Sequence, residues 1–105
     1  MYEKRRYFAL VVGVIVSNAA LAANPDAAKN TASSVCAGCH GPKGISAAGT
    51  FPNLAGQKED YLASALRAYR DKTRTAPIMN NMAAGLKDED IANLAAYFSS
   101  LKPCE

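Results

Sequence analysis

Apolar residues recur along this chain with the three-to-four spacing of helix faces, and no stretch shows the every-second-residue alternation of a half-buried strand. Three amphipathic segments stand out. The first begins after Asn24, with Asn24 or Asp26 as its cap and Pro25 in its first turn, and carries Ala28, Ala32 and Val35 toward the Cys36 region. The second opens with Glu59 and Asp60, whose negative charge suits a helix N-terminus, and places Leu62, Ala65, Leu66 and Tyr69 on one face. Arg70, Lys72 and Arg74 close it; they read as cations opposing the helix dipole, with a docking patch as the alternative. The third opens with Asp88, Glu89 and Asp90, aligns Ile91, Leu94, Ala95, Phe98 and Leu101, and stops at Pro103.

From Gly41 to Gly56 lie four glycines and two prolines, so this stretch reads as a loop of about sixteen residues, a length that is usually functional in a compact domain. A second loop contains Pro77 and carries Met79 and Met82. There is no internal repeat. The expected fold class is all-α, with three to four helices.

The N-terminal segment follows a different pattern. Lys4, Arg5 and Arg6 precede an uninterrupted apolar run from Tyr7 to Val16, followed by Ser17, Asn18 and the small-residue stretch Ala20-Leu21-Ala22. Charged start, short apolar middle and small residues at the end are the layout of a secretory signal peptide. The expected division is therefore a leader at residues 1–22, cleaved after Ala22, and a domain at residues 23–105. The alternative is a retained membrane anchor, but ten apolar residues rise only about 15 Å as a helix, whereas a bilayer core needs roughly 20 residues. On either reading the protein is exported, and the periplasm is its expected location.

At 105 residues, half of them apolar and 20% charged, the chain is neither disordered nor large enough for two domains. Its formal charge of +3 is concentrated in the leader; the remainder holds nine basic and eight acidic residues, too even a balance for a nucleic-acid partner. A small exported domain usually compensates for a thin core with disulfides, a metal or a cofactor. Three cysteines, with Cys36 and Cys39 separated by only two residues, do not make a disulfide framework. The stabiliser is expected to be something else.

Cys36-Ala37-Gly38-Cys39-His40 supplies the candidate, since C-x-x-C-H is the attachment signature of c-type haem. Two thiols add to the porphyrin's two vinyl groups, and the adjacent imidazole turns under the ring to reach the iron. Successive helical residues point about 100° apart, so Cys39 and His40 can serve different atoms of one flat cofactor. Three competing readings are weaker, the weakest being a chance occurrence of the motif in a plain helical domain. A zinc site drawn from Cys36, Cys39, His40 and Cys104 would make the neighbouring Cys39 and His40 converge on one small ion. A thioredoxin-like C-x-x-C normally sits beside a βαβ pattern, and no strand is visible. The iron's sixth position then decides between electron transfer and ligand chemistry. Methionine is the residue to look for, and Met79 and Met82 are the internal candidates, although methionine also serves as a core gap-filler.

At this level of detail the chain resembles the bacterial class I c-type cytochromes, in particular one half of the dihaem cytochromes c of bacterial respiratory chains. The similarity runs from about residue 25 to 102 and rests on Cys-Ala-Gly-Cys-His-Gly at 36–41, Phe-Pro-Asn-Leu-Ala-Gly-Gln at 51–57, Arg74 through Met79, and Leu86 through Phe98. With a single C-x-x-C-H the chain is expected to be monohaem. The resemblance implies a small cytochrome c fold wrapped around one covalent haem c, held through Cys36 and Cys39, with His40 and Met79 as the iron's axial ligands. It implies that the Pro52 carbonyl accepts the imidazole's other N–H. It favours Met79 over Met82, because the family's methionine lies five residues after the arginine matched by Arg74 and seven before the leucine matched by Leu86.

Three positions depart from the family pattern. Lys87 stands where a capping serine is frequent, leaving Asp88 to cap the last helix one residue later. Lys29 replaces a frequent glycine and calls into question a close crossing of the first and last helices. Cys104 has no counterpart; it is a free terminal thiol, the partner in an intermolecular disulfide, or a functional thiol.

The function this implies is that of an electron-transfer protein, not an enzyme, cycling Fe(III)/Fe(II) between redox protein partners such as an oxidase, a reductase or a dehydrogenase. His–Met ligation suits the task, and Leu54, Leu62, Leu66, Leu94 and Phe98 would lower the dielectric around the ring. Membrane contact is expected only through transient docking or a retained anchor. The alternatives are a cytochrome subunit held permanently in an oxidoreductase complex, or a haem sensor or peroxidase with an open sixth site.

Overall fold

The computed structural model describes residues 9–14 and 22–104; the remaining positions of the expected leader lie outside the described residues. Helix α1, Pro25–Thr31, runs on through a π-helical turn, Ala32–Cys36, into the short α2, Ala37–His40. Helices α3, Glu59–Arg70, α4, Pro77–Ala83, and α5, Asp88–Ser100, complete the order. No strand occurs among the described residues, as expected of an all-α chain.

Helix α5 is the centre of the core. Ile91 and Leu94 are fully buried, Ala95 and Phe98 nearly so, and this face packs against α1 on one side and α3 on the other. Ala28 and Ala32 of α1 are 3% and 4% exposed, small enough to let the two rods approach closely. Lys29 does not obstruct that crossing: it points to solvent and pairs with Asp26 at 3.1 Å. Asn24 is the cap, its side chain accepting from the Asp26 N–H at 3.1 Å, with Pro25 in the first turn. The Asn24 N–H in turn donates to Asn93 Oδ1 on α5 at 2.7 Å, so the start of α1 is tied to the core helix.

One apolar residue of the first helical run lies outside the core, and two sequence expectations need correction. Val35, which follows Ala28 and Ala32 along that run, is 46% exposed. The cause is the π turn, in which the Ala37 N–H donates to the Ala32 carbonyl five residues back; the extra residue shifts the phase and brings Cys36 against the core instead. Met79 and Met82 lie not in a loop but in α4, where Pro77 supplies a preset φ at the start of the helix. Asp88 does not cap α5. Lys87 takes the cap position, its N–H donating to Asp90 Oδ2 at 2.9 Å. Asp88 is the first helical residue and instead meets Arg70 Nη1 at 2.6 Å, while the same guanidinium reaches the Leu86 carbonyl at 3.4 Å. Arg70 thus fastens the end of α3 to the start of α5.

The glycine-rich stretch is folded back on itself. The Gly44 carbonyl accepts from Leu54 N–H at 2.7 Å and Ala55 N–H at 3.0 Å, and Asn53 Oδ1 accepts from Ser46 N–H at 2.8 Å. The Gly56 N–H donates to the Phe98 carbonyl at 3.0 Å, anchoring the far end of the loop on α5.

Candidate haem site

The continuous helical rod delivers Cys36, Cys39 and His40 to one place. Cys36 leans on the core alongside the half-buried Leu54, Leu66 and Leu86, and Cys39 is half-buried one turn further on. Neither is in a disulfide. Burial pushes the Cys36 thiol up, which keeps it in the protonated form. His40 ends the rod and is buried. Gly41 follows with φ +85°, and a side chain there would collide with the Ile45 carbonyl, so the chain can leave the helix directly after the imidazole only through glycine.

The loop then returns to hold the ring. His40 Nδ1 lies 2.8 Å from the Pro52 carbonyl, and since a carbonyl can only accept, Nδ1 carries the proton. The edge of Phe51 packs against the imidazole at a centroid distance of 6.5 Å and an interplanar angle of 65°. With Nδ1–H committed to the Pro52 carbonyl, Nε2 is the ring nitrogen left available to a metal. Two reduced thiols, a histidine nitrogen with a fixed lone pair and an apolar wall form a donor set suited to a covalently held haem. They do not suit zinc, because no three His, Cys, Asp or Glu side chains gather into a metal site among the described residues.

Met79 and Met82 stand on a separate element. Met79 is half-buried, whereas Met82 is 49% exposed. Helix α4 packs on α3 and is joined to it by Asn80, whose side chain spans the connection between the two. Asn80 was not distinguishable in the sequence, where it is one of two adjacent asparagines with no periodic or motif signal. Cys104 is exposed and unpaired, at the rim of a groove that includes Pro42, Asn53 and Pro103.

An all-helical shell around a thiol pair and an oriented histidine defines the class of covalent haem proteins. The chain belongs to the cytochrome c family, whose model matches residues 25–102. It is 52% identical over 68 residues to cytochrome c-554(548) of Halomonas halodenitrificans, covering 62% of this chain and 82% of that protein. It is 41% identical over 83 residues to a thiosulfate dehydrogenase electron acceptor of Thiomonas intermedia, covering 78% of this chain but 36% of the relative. The solved structure of Acidithiobacillus ferrooxidans cytochrome c4 superposes with a TM-score of 0.72 at 32% identity, over 75% of this chain and 50% of the other. The chain thus spans most of the first relative and half or less of the other two. It is a c-type cytochrome, an electron carrier with covalent haem c and iron, and not an enzyme.

Proposed function

We propose that this protein is a monohaem periplasmic electron carrier whose haem is attached through Cys36 and Cys39 and whose iron is held by His40 and Met79. The observation that carries the reading is the His40 Nδ1–Pro52 hydrogen bond, which fixes the ring and reserves Nε2 for the metal. The haem supplies a reversible one-electron change between Fe(III) and Fe(II). The chain's own part is to hold and insulate. The Pro52 carbonyl keeps a proton on Nδ1, Phe51 limits ring rotation, and Leu62, Leu94 and Phe98 with the half-buried Leu54 and Leu66 exclude water. Met79 would hold the iron through its thioether, which would favour the reduced state and keep small ligands off the metal. The burial contrast between Met79 and Met82 supports Met79 for that role.

Cleavage after Ala22 leaves Asn24 near the new terminus, where its N–H remains bonded to Asn93. A dehydrogenase is the favoured electron donor, by similarity to the thiosulfate dehydrogenase electron acceptor. The test is the near-infrared methionine–iron band of the oxidised protein: present in the wild type and in Met82→Ala, absent in Met79→Ala. A band that survives Met79→Ala and vanishes in Met82→Ala refutes the assignment.

A further inference from the structure

The residue next to Met79 makes contacts that α4 does not need in order to be a helix. Asn80 Oδ1 accepts from the Ala76 N–H at 2.9 Å, while its Nδ2 donates to the Tyr69 carbonyl at 2.8 Å and to the Arg74 carbonyl at 2.9 Å. One amide therefore binds the last turn of α3, the connecting loop and the entry to α4. The seven-residue α4 is too short to be stable alone, so its position depends on such ties. The connection it must restrain is strained, with Lys72 at φ 61°. Beyond α4 the chain is held again where Arg70 reaches the Leu86 carbonyl.

We propose that Asn80 is a positioning residue for the sixth iron ligand: its amide locks residues 69–80 into a rigid arm and so sets how often the Met79 thioether leaves the iron. The inference rests on the reading of Met79 as that ligand. With the arm fixed, only the Met79 side chain can move away. With Asn80 truncated, the loop and the first turn of α4 move together, and departure no longer has to be reversed by a side chain alone. Of the amide's bonds, the two from Nδ2 hold the arm to α3 and the loop, whereas the one to Oδ1 is internal to the α4 entry.

The test uses oxidised holoprotein with imidazole as the probe. As imidazole is raised, its binding rate saturates at the rate at which methionine leaves the iron. Asn80→Ala is expected to raise that saturating rate at least about tenfold, the equivalent of about 1.4 kcal/mol. Asn80→Asp keeps the acceptor for Ala76 but turns a carboxylate toward two carbonyls, and is expected to be at least as fast. Asn93→Ala, which cuts the distant tie to Asn24, is expected to lower the denaturation midpoint without changing the rate. If Asn80→Ala does not load haem, Asn80→Ser gives the same reading with a smaller truncation.

A wild-type rate in the Asn80 variants, with a near-infrared band that still depends on Met79, overturns this proposal and leaves the ligand assignment standing. Equal acceleration in Asn93→Ala also overturns it, since the effect would then follow from general loss of stability. A band that survives Met79→Ala overturns both the proposal and the assignment.

Discussion

Gly44 offers the sharpest check on how the loop holds the site, because two independent costs fall on one methyl group. The residue is buried at φ +72°, and a Cβ built there lies 2.9 Å from the Ala55 nitrogen and 3.2 Å from the Phe98 ring. Alanine in the left-handed region costs about 1–2 kcal/mol. Forcing a methyl group against backbone and a buried ring adds about 1–3 kcal/mol, since neither neighbour is the free end of a flexible side chain. Gly44→Ala is therefore expected to lose about 2–5 kcal/mol, which for a domain of this size lowers Tm by at least about 8 °C. Thermal and urea unfolding of the oxidised holoprotein, followed by far-ultraviolet circular dichroism, measure it. Gly49→Ala is the internal control. It lies in the same loop, is exposed and has open space around its Cβ, so it should stay within about 0.5 kcal/mol of the wild type. If the two variants behave alike, backbone geometry at Gly44 is not what closes the loop, and the account of how Pro52 is presented to His40 fails with it.

What could be read in the sequence divides along physical lines. The face of α5 was legible because Ile91, Leu94, Ala95 and Phe98 repeat over thirteen residues against a single core, and periodicity of that length is unambiguous. The Pro52 contact with His40 was legible only through the family resemblance; nothing in composition or spacing points to a carbonyl twelve residues away. Helix α4 has the sequence pattern of a loop because seven residues give fewer than two full repeats, and its start depends on Pro77 and on Asn80 rather than on an apolar stripe. The π turn escaped for a related reason, since one inserted residue leaves the local spacing plausible while moving Val35 outward and Cys36 inward. The buried or bridging asparagines were invisible because their partners are backbone groups 69 and 11 residues distant. Side chains that bond to distant backbone carry no local signature, and in this protein they are the ones that place α1 and α4.

Two further outcomes follow from the loop and the helix ends. Lys72 holds φ 61° without being glycine, so Lys72→Gly is expected to stabilise the protein by about 0.5–1 kcal/mol, the relief of strain exceeding the added freedom of the unfolded chain; a lower urea midpoint in the variant refutes it. The pH dependence of the α3–α5 tie has a definite sign. The Arg70 guanidinium, bonded to Asp88 at 2.6 Å, holds that carboxyl below its ordinary value near 3.8. A carboxyl whose folded pKa is depressed contributes stability that is fully present above its unfolded value and lost as pH falls through the folded one. The stability difference between wild type and Asp88→Asn is therefore expected to be constant through neutral pH and to close only below about pH 4. Urea midpoints of both proteins measured across that range check it. A difference that persists unchanged in acid would mean that Asp88 acts through the shape of the α5 terminus and not through its charge.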